Sequence, residues 1–259
     1  MSKFMDAAKW LDDQHKNRQK FKNFDQKFGL NTYEDAYNVQ SALQNIWSYK
    51  GKLSGYKLAL TSKPIQVMFG IDTPMKGNLF ADTILYGNRA IEISDYVNLG
   101  IEFELCVEIG EDFGKNTRGL TINDCYRKIA AIYPAFELID DRNADYTNVN
   151  LISATADNSW NANNILGNRQ TNFQNLDFYQ NPVTKNINGE IEYSQTGAAL
   201  GNPFNSVLWI ANYLSHHEEE LLAGQVIMTG STFATYFPKK GDTIMYNVQG
   251  IGEVQIEIV

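Results

Sequence analysis

Carboxylates carry the most specific chemical signal in this 259-residue chain. From Ile101 to Ile109, the apolar residues Ile101, Phe103, Leu105, Val107 and Ile109 alternate with Glu102, Glu104, Cys106 and Glu108. A period of two predicts a strand with one face buried. Glu102 and Glu104 then leave the same face about 7 Å apart along the strand, close enough to share one hard cation. A plain solvent-facing strand would show the same spacing. Glu137 is the discordant residue, because it lies inside the largely apolar run Ala131 to Asp140. An ionised carboxylate there is costly unless it is paired. A Mg²⁺ shared with Glu102 and Glu104 would supply the partner and leave about three positions of an octahedral site for water and substrate. Lys57 is equally out of place in the strand-like run Gly55 to Ser62. The alternative there is an edge lysine whose stem lies along apolar surface.

Other chemistries lack their residues. Histidine occurs only at 15, 216 and 217, and none sits in a nucleophile elbow. His216 and His217 fall at the end of a predicted helix, where a cation suits the helix dipole. The glycines at 77, 250 and 252 fit neither a dinucleotide fingerprint nor a phosphate loop. Ala156-Asp157-Asn158-Ser159 and Met228-Thr229-Gly230-Ser231-Thr232 place small polar groups after strands and, taken alone, read as turns.

The elements that must position these residues form an α+β pattern. Residues 3–15 are amphipathic through Phe4, Ala7, Ala8 and Leu11, and the lysines at 16, 20, 22 and 27 suggest an exposed connection after them. Asn31 as N-cap with Glu34 three residues on reads as a capping box before a helical stripe of Tyr33, Ala36, Tyr37, Leu43, Ile46 and Trp47. Beyond Gly51 strand-like runs dominate, so residues 1–50 are expected to form a helical segment and 51–259 a β-rich catalytic body. Thr243–Val248 and Glu253–Val259 read as a strand pair, and Pro203 opens a helix with Val207, Leu208, Ile210, Ala211 and Leu214 on its apolar stripe.

Composition narrows the classes further. The net charge is −8, with hydrophobic residues at 43% and charged residues at 20%, which is ordinary globular usage. An acidic chain gains little from counterion release on nucleic acid. The sequence shows no apolar run long enough to cross a membrane and no signal-peptide pattern. Two sparse cysteines, Cys106 and Cys125, fit a reducing cytoplasm better than a disulfide scaffold.

Taken together, the motifs resemble the 2-keto-4-pentenoate hydratase family, which includes the 4-oxalocrotonate decarboxylases within the fumarylacetoacetate hydrolase superfamily. Gly55-Tyr56-Lys57-Leu58-Ala59-Leu60-Thr61-Ser62 and Gly70-Ile71-Asp72-Thr73-Pro74 are similar to its "GYKxGLTS … GVxxP" opening. Ile101-Glu102-Phe103-Glu104 is similar to its "xExE" strand, and Pro134 to Asp140, followed by Arg142 and Asp145, to "PALEIVD" and "SRxxD". Ala156-Asp157-Asn158-Ser159 resembles "ADNAS", Gly201-Asn202-Pro203 with Trp209-Ile210-Ala211 resembles "LGHPLxAVxWLA", Val226 to Ser231 resembles "VILTGS", and Gly250-Ile251-Gly252 the closing "GLG".

This resemblance implies a mixed β roll behind an N-terminal helical segment, and a lyase of aromatic catabolism that forms homo-oligomers, sometimes with a homologous subunit. It implies Mg²⁺ or Mn²⁺ on Glu102, Glu104 and Glu137, with Lys57 as the catalytic lysine. It also implies a substrate, a small 2-oxo or 2-hydroxydienoic acid, held by Thr61, Ser62, Asp157, Asn158, Ser159, Thr229, Gly230 and Ser231. Hydration of a 2-hydroxypenta-2,4-dienoate-type acid is the leading expectation. The alternatives are an oxalocrotonate-type decarboxylase, an acylpyruvate C–C hydrolase, for which only His15 could activate water, and a noncatalytic partner subunit. Departures cluster at Met75, where many hydratases carry an acid, and at Lys76, Asn202 and Gln225. Met75 and the tail Tyr246 to Gly250 resemble the decarboxylases, whereas Trp209 resembles the hydratases. If Lys76 faces inward it would pair with a second substrate carboxylate; otherwise it is a solvated loop lysine.

Overall fold

The computed structural model describes residues 2–24, 27–115 and 117–259. At the N-terminus α1 (Lys3–Lys16) and α2 (Tyr33–Ile46) pack through Ala7, Ala8 and Leu11 against Ala36, Val39 and Leu43. Trp47 and Phe80 close this small core. The cap of α2 stands one residue later than the box read at Asn31 and Glu34. Thr32 Oγ1 accepts from the Asp35 N–H at 3.0 Å, and the Asp35 carboxylate accepts from the Asn31 N–H at 3.0 Å. Threonine, like asparagine, is a favoured residue at this position, and Tyr33 is exposed while Ala36, Val39 and Leu43 turn inward.

The β-rich body follows in the order β1 (Leu53–Ala59), α3 (Lys63–Phe69), β2 (Met75–Phe80), β3 (Ile84–Tyr86), β4 (Arg89–Ile91), β5 (Leu99–Ile109) and α4 (Ile122–Arg127). Next come β6 (Ile129–Asp140), α5 (Leu151–Ala156), β7 (Asn161–Leu166), β8 (Pro182–Ile187), β9 (Glu190–Gln195) and α6 (Pro203–His216). The chain ends on β10 (Val226–Ser231), β11 (Thr243–Val248) and β12 (Gly252–Ile258). One seven-stranded sheet has the order β2-β1-β10-β5-β6-β7-β3, and a five-stranded sheet has the order β4-β12-β11-β8-β9. Pairing is mostly antiparallel, with parallel contacts at β1–β10, β3–β7 and β4–β12. This is the α+β architecture, a mixed curled sheet with a helical N-terminal region, that the pattern and the resemblance led us to expect.

The long β5–β6 pair fixes the register that matters. Phe103 stands opposite Phe136 and Glu102 opposite Glu137. The two phenylalanines meet edge to face at 5.6 Å in the main core, with Tyr246 beside them. Alternation therefore turns Glu102, Glu104 and Glu137 to the other face. That face is not solvated, because Cys106, Tyr133, Ala135 and Met228 form a second buried cluster on the same pair of strands and their neighbour β10. Among the described residues no helix is long and apolar enough to cross a membrane.

Candidate active site

Three carboxylates converge where β5 and β6 lie side by side. One carboxylate oxygen from each of Glu102, Glu104 and Glu137 lies within 4.8 Å of the other two. Glu104 and Glu137 are fully buried. Each glutamate is aimed by one donor from a neighbouring element. Thr235 Oγ1 donates to Glu102 Oε1 at 2.8 Å, the Gly230 N–H to Glu104 Oε2 at 2.8 Å, and Asn161 Nδ2 to Glu137 Oε1 at 2.8 Å. Lys57 Nζ lies 3.1 Å from Glu137 Oε1. Lys57 is buried on β1, which is flanked by β2 and β10. The edge-lysine reading therefore fails, since this strand has a neighbour on each side.

The electrostatics leave the cluster short of positive charge. Burial, reinforced by Glu137 and Glu102, pushes the Glu104 carboxyl well above its ordinary value. Burial raises Glu137 too, against the pull of Lys57. Burial acts to lower the Lys57 ammonium, but Glu137, Glu102 and Glu104 outweigh it and hold it above its ordinary value. With all three carboxylates ionised, the cluster and Lys57 would carry two negative charges in excess, and Glu104 Oε1 and Glu137 Oε2, both buried, have no hydrogen-bond partner among the described residues. All-oxygen ligands, unpaired lone pairs and this charge deficit fit a hard divalent cation.

Above the cluster opens a cavity of about 480 Å³. Lys57, Glu102, Thr61, Ser62, Ser159 and Ser231 line it, and so do Leu60, Ile65, Met68, Phe69, Met75 and Leu151. Among the described residues its wall holds no cation except Lys57, no carboxylate except Glu102 and no histidine.

Asp157, Asn158, Thr229 and Gly230 do not line the cavity but support its wall, in which Ser231 is fixed. Asp157 is fully buried. One of its oxygens meets His15 Nε2 at 2.6 Å and the other pairs with Arg142. Asn158 Oδ1 accepts from the Asn78 N–H at 2.6 Å and Nδ2 donates to the Asn78 carbonyl at 2.9 Å, which pins this turn to β2. Thr229 Oγ1 donates to the Leu105 carbonyl at 2.8 Å. Gly230 has φ 105°, and a Cβ there would meet Thr61 Oγ1 at 2.2 Å. Glycine is the residue that lets this backbone turn its N–H to Glu104. Ser231 Oγ accepts from the Phe103 N–H at 2.9 Å and donates to the Phe233 carbonyl at 2.8 Å.

Comparison with known proteins places the chain. The fumarylacetoacetate (FAA) hydrolase C-terminal family matches residues 57–259. A 4-oxalocrotonate decarboxylase of Pseudomonas putida is 31% identical over 230 residues, covering 88% of this chain and 86% of that protein. A 2-oxo-hept-4-ene-1,7-dioate hydratase of Escherichia coli is 32% identical over 262 residues, covering 97% and 96%. The chain belongs to the 2-keto-4-pentenoate hydratase/4-oxalocrotonate decarboxylase family. A solved structure of the 4-oxalocrotonate decarboxylase from Pseudomonas putida G7, complexed with magnesium and adipate, superposes with a TM-score of 0.91 at 28% identity, over 99% of this chain and 97% of that one.

Lys76 is neither a solvated loop lysine nor a cavity residue. Gly77 stands opposite Lys57 in the β1–β2 register, and a Cβ on it would meet Lys57 Cγ at 3.1 Å. Alternation then sends Lys76 to the opposite face, where it is buried with its Nζ 4.9 Å from the Tyr37 ring and 5.5 Å from that of Tyr213. Asn161 is the supporting residue that sequence reading missed. Its β7 sequence, Asn-Ala-Asn-Asn-Ile-Leu, has the polarity of a loop. The only available signal was its position two residues after the Ala156–Ser159 motif.

Proposed function

We propose that this protein is a divalent-metal lyase that decarboxylates a small 2-oxo enedioic acid of the oxalocrotonate type. The observation that carries this reading is the cavity wall beyond Lys57 and Glu102, which is apolar and, among the described residues, free of any further cation. A carboxylate destined to leave as CO₂ loses its charge on departure. A salt bridge would hold it in the ground state, whereas an apolar wall favours the neutral product. Met75, lining the cavity where an acid would serve proton transfer during hydration, supports the same direction.

Glu102, Glu104 and Glu137 would hold the cation, with Mg²⁺ or Mn²⁺ the choice that carboxylate ligands favour. When bound, it supplies positive charge against which negative charge developing on the substrate's 2-oxygen is stabilised. In the reaction the bond to the remote carboxylate breaks and CO₂ departs. The released electron pair moves through the conjugated carbons to the 2-oxygen, and a proton completes the 2-hydroxydienoic acid. Lys57 is placed to give or hold that proton. It is buried and paired with Glu137, and the neighbouring glutamates hold its ammonium above the ordinary value; its stem lies close beside Gly77. Thr61, Ser62, Ser159 and Ser231, all lining the cavity, would orient the substrate. Asp157, Asn158, Thr229 and Gly230 would act by holding that wall.

Hydration is the second reading, favoured by the 32% identity to the Escherichia coli hydratase over 97% of this chain. The test is incubation with Mg²⁺ and, separately, oxalocrotonate and 2-hydroxypenta-2,4-dienoate, followed by product identification by NMR. Loss of CO₂ from the first without water addition to the second supports decarboxylation. The reverse pattern makes the protein a hydratase, and turnover of neither removes both readings.

A further inference from the structure

Arg142 and Asp145, singled out in the sequence after β6, do not line the catalytic cavity, but Tyr146 beside them does. The segment that brings Tyr146 there is bent twice. Arg142 (φ 48°) and Asn143 (φ 57°) are successive left-handed residues. Non-glycine residues adopt this conformation at a cost, and it persists only where surrounding contacts over-determine it. Those contacts are present. The Arg142 guanidinium pairs with buried Asp157. The Asp141 carbonyl accepts from the Ala144 N–H at 3.0 Å, and Asp141 Oδ1 accepts from the Asn143 N–H and from Asn98 Nδ2, each at 2.8 Å. Asp145 makes the second bend, where its Oδ1 accepts from the Thr147 N–H at 3.1 Å and from the Thr147 hydroxyl at 2.7 Å. Tyr146 stands between the two bends. Its hydroxyl donates to Oδ2 of the buried Asp141 at 2.9 Å, and its ring meets that of Trp160 edge-on at 5.8 Å. A side chain tied at its tip and packed along its ring has a locked rotamer. Tyr146 is nevertheless 44% exposed, so it can touch what enters the cavity. Burial, then Asp141 and then Glu102, hold its phenol well above the ordinary value. The ring is therefore uncharged and within electrostatic reach of Glu102. With its hydroxyl proton already given to Asp141, it offers a molecule in the cavity a flat apolar face.

We propose that Tyr146 determines substrate specificity: its ring, pinned by Asp141, packs against the carbon chain of the acid and excludes chains that carry a bulky alkyl branch. The proposal rests on the reading of the cavity as the site of a 2-oxo acid, and its test keeps the two apart. Tyr146→Ala removes the ring. Tyr146→Phe keeps the ring and removes the bond to Asp141. Each variant is first checked for wild-type circular dichroism and cooperative melting, and Tyr146→Leu replaces the alanine variant if that one does not fold.

Two measurements are made with Mg²⁺ present. Calorimetry gives dissociation constants for saturated 2-oxohexanedioic acid and for analogues with one isopropyl branch at successive chain carbons; these acids do not react and report binding alone. Steady-state CO₂ release gives KM and kcat for oxalocrotonate and its branched analogues. The wild type should favour the unbranched acid. In Tyr146→Ala that preference should shrink by about tenfold or more, because a pocket distinguishes added methylenes by that order, and for the reactive acids the change should fall on KM more than on kcat. Tyr146→Phe should keep the wild-type preference within about threefold. An unchanged preference in Tyr146→Ala, or a loss spread equally over all the acids, overturns the proposal. So does a Tyr146→Phe preference relaxed as far as that of the alanine variant. A wild-type protein that binds the saturated acids but releases no CO₂ from the reactive ones would instead sink the functional reading, and the dissociation constants would still decide the role of Tyr146. Binding of none of these acids would overturn both.

Discussion

Lys57 and the three glutamates form a charge balance, and under the proposed reaction that balance separates their roles. Replacing Lys57 by Met removes a buried ammonium beside Glu137 and leaves the carboxylates more negative. Mg²⁺ binding should then hold or tighten, while turnover falls by about 10²–10⁴-fold, the usual worth of general acid–base work. Calorimetry and a steady-state assay read the two effects separately. Equal kinetics in Lys57→Met would demote the residue to a counter-ion. These residues were legible in the sequence because each contradicts its surroundings: Glu137 and Lys57 are charges inside apolar runs. Asn161 contradicts nothing locally. Its role depends on β7 lying beside β6, a pairing that joins residues far apart in the chain and that no local pattern reveals.

At the scale of elements, β2 shows why spacing alone misplaced a functional candidate. Met75 lines the candidate cavity and Gly77 stands beside Lys57, while Lys76 packs among Tyr37, Tyr56 and Tyr213. Reading this stretch as a loop left its facing undetermined, because two adjacent residues of a strand always point to opposite sides. Lys76→Met should therefore leave the preference for diacids over monoacids within about twofold, below the roughly tenfold that loss of a charge-assisted contact would cause. Its effect belongs to stability. Burial lowers the Lys76 ammonium to about 8, against a weaker upward pull from Glu219. Between about 8 and the ordinary lysine value the unfolded chain holds a proton that the folded chain has shed, so this residue makes stability rise with pH there. Urea titrations across that window should show a shallower rise in Lys76→Met than in wild type. Parallel curves would place the titration elsewhere.

Across the whole molecule, one buried ion cluster fastens the helical segment to the roll. His15, from α1, and Arg142, just beyond β6, both engage Asp157, which caps α5 before the turn that carries Ser159 and Trp160. Burial acts to raise the Asp157 carboxyl, but Arg142 and His15 outweigh it and hold it below its ordinary value. This contribution is thus present above the unfolded value and disappears as pH falls through the lowered one. Asp157→Asn leaves Arg142 buried and unpaired, and should cost about 3–5 kcal/mol near neutral pH. The deficit should shrink in acid, where the wild-type carboxylate is protonated, as chemical denaturation at the two pH values would show. The roll itself was legible in outline from the strand alternation and from the ordered motifs. The left-handed turn and the cluster behind it were not, because they exist only once α1, α5 and β6 are packed together. The central claim is that Glu102, Glu104 and Glu137 hold a divalent cation that works with Lys57 to release CO₂ from a 2-oxo enedioate. Its most direct test is CO₂ evolution from oxalocrotonate by wild type and Glu104→Gln, each with Mg²⁺ and after chelation. The account predicts release by wild type with Mg²⁺, loss on chelation, recovery on adding Mg²⁺ back, and none above background from Glu104→Gln. Metal-independent release, or full activity in Glu104→Gln, would contradict it.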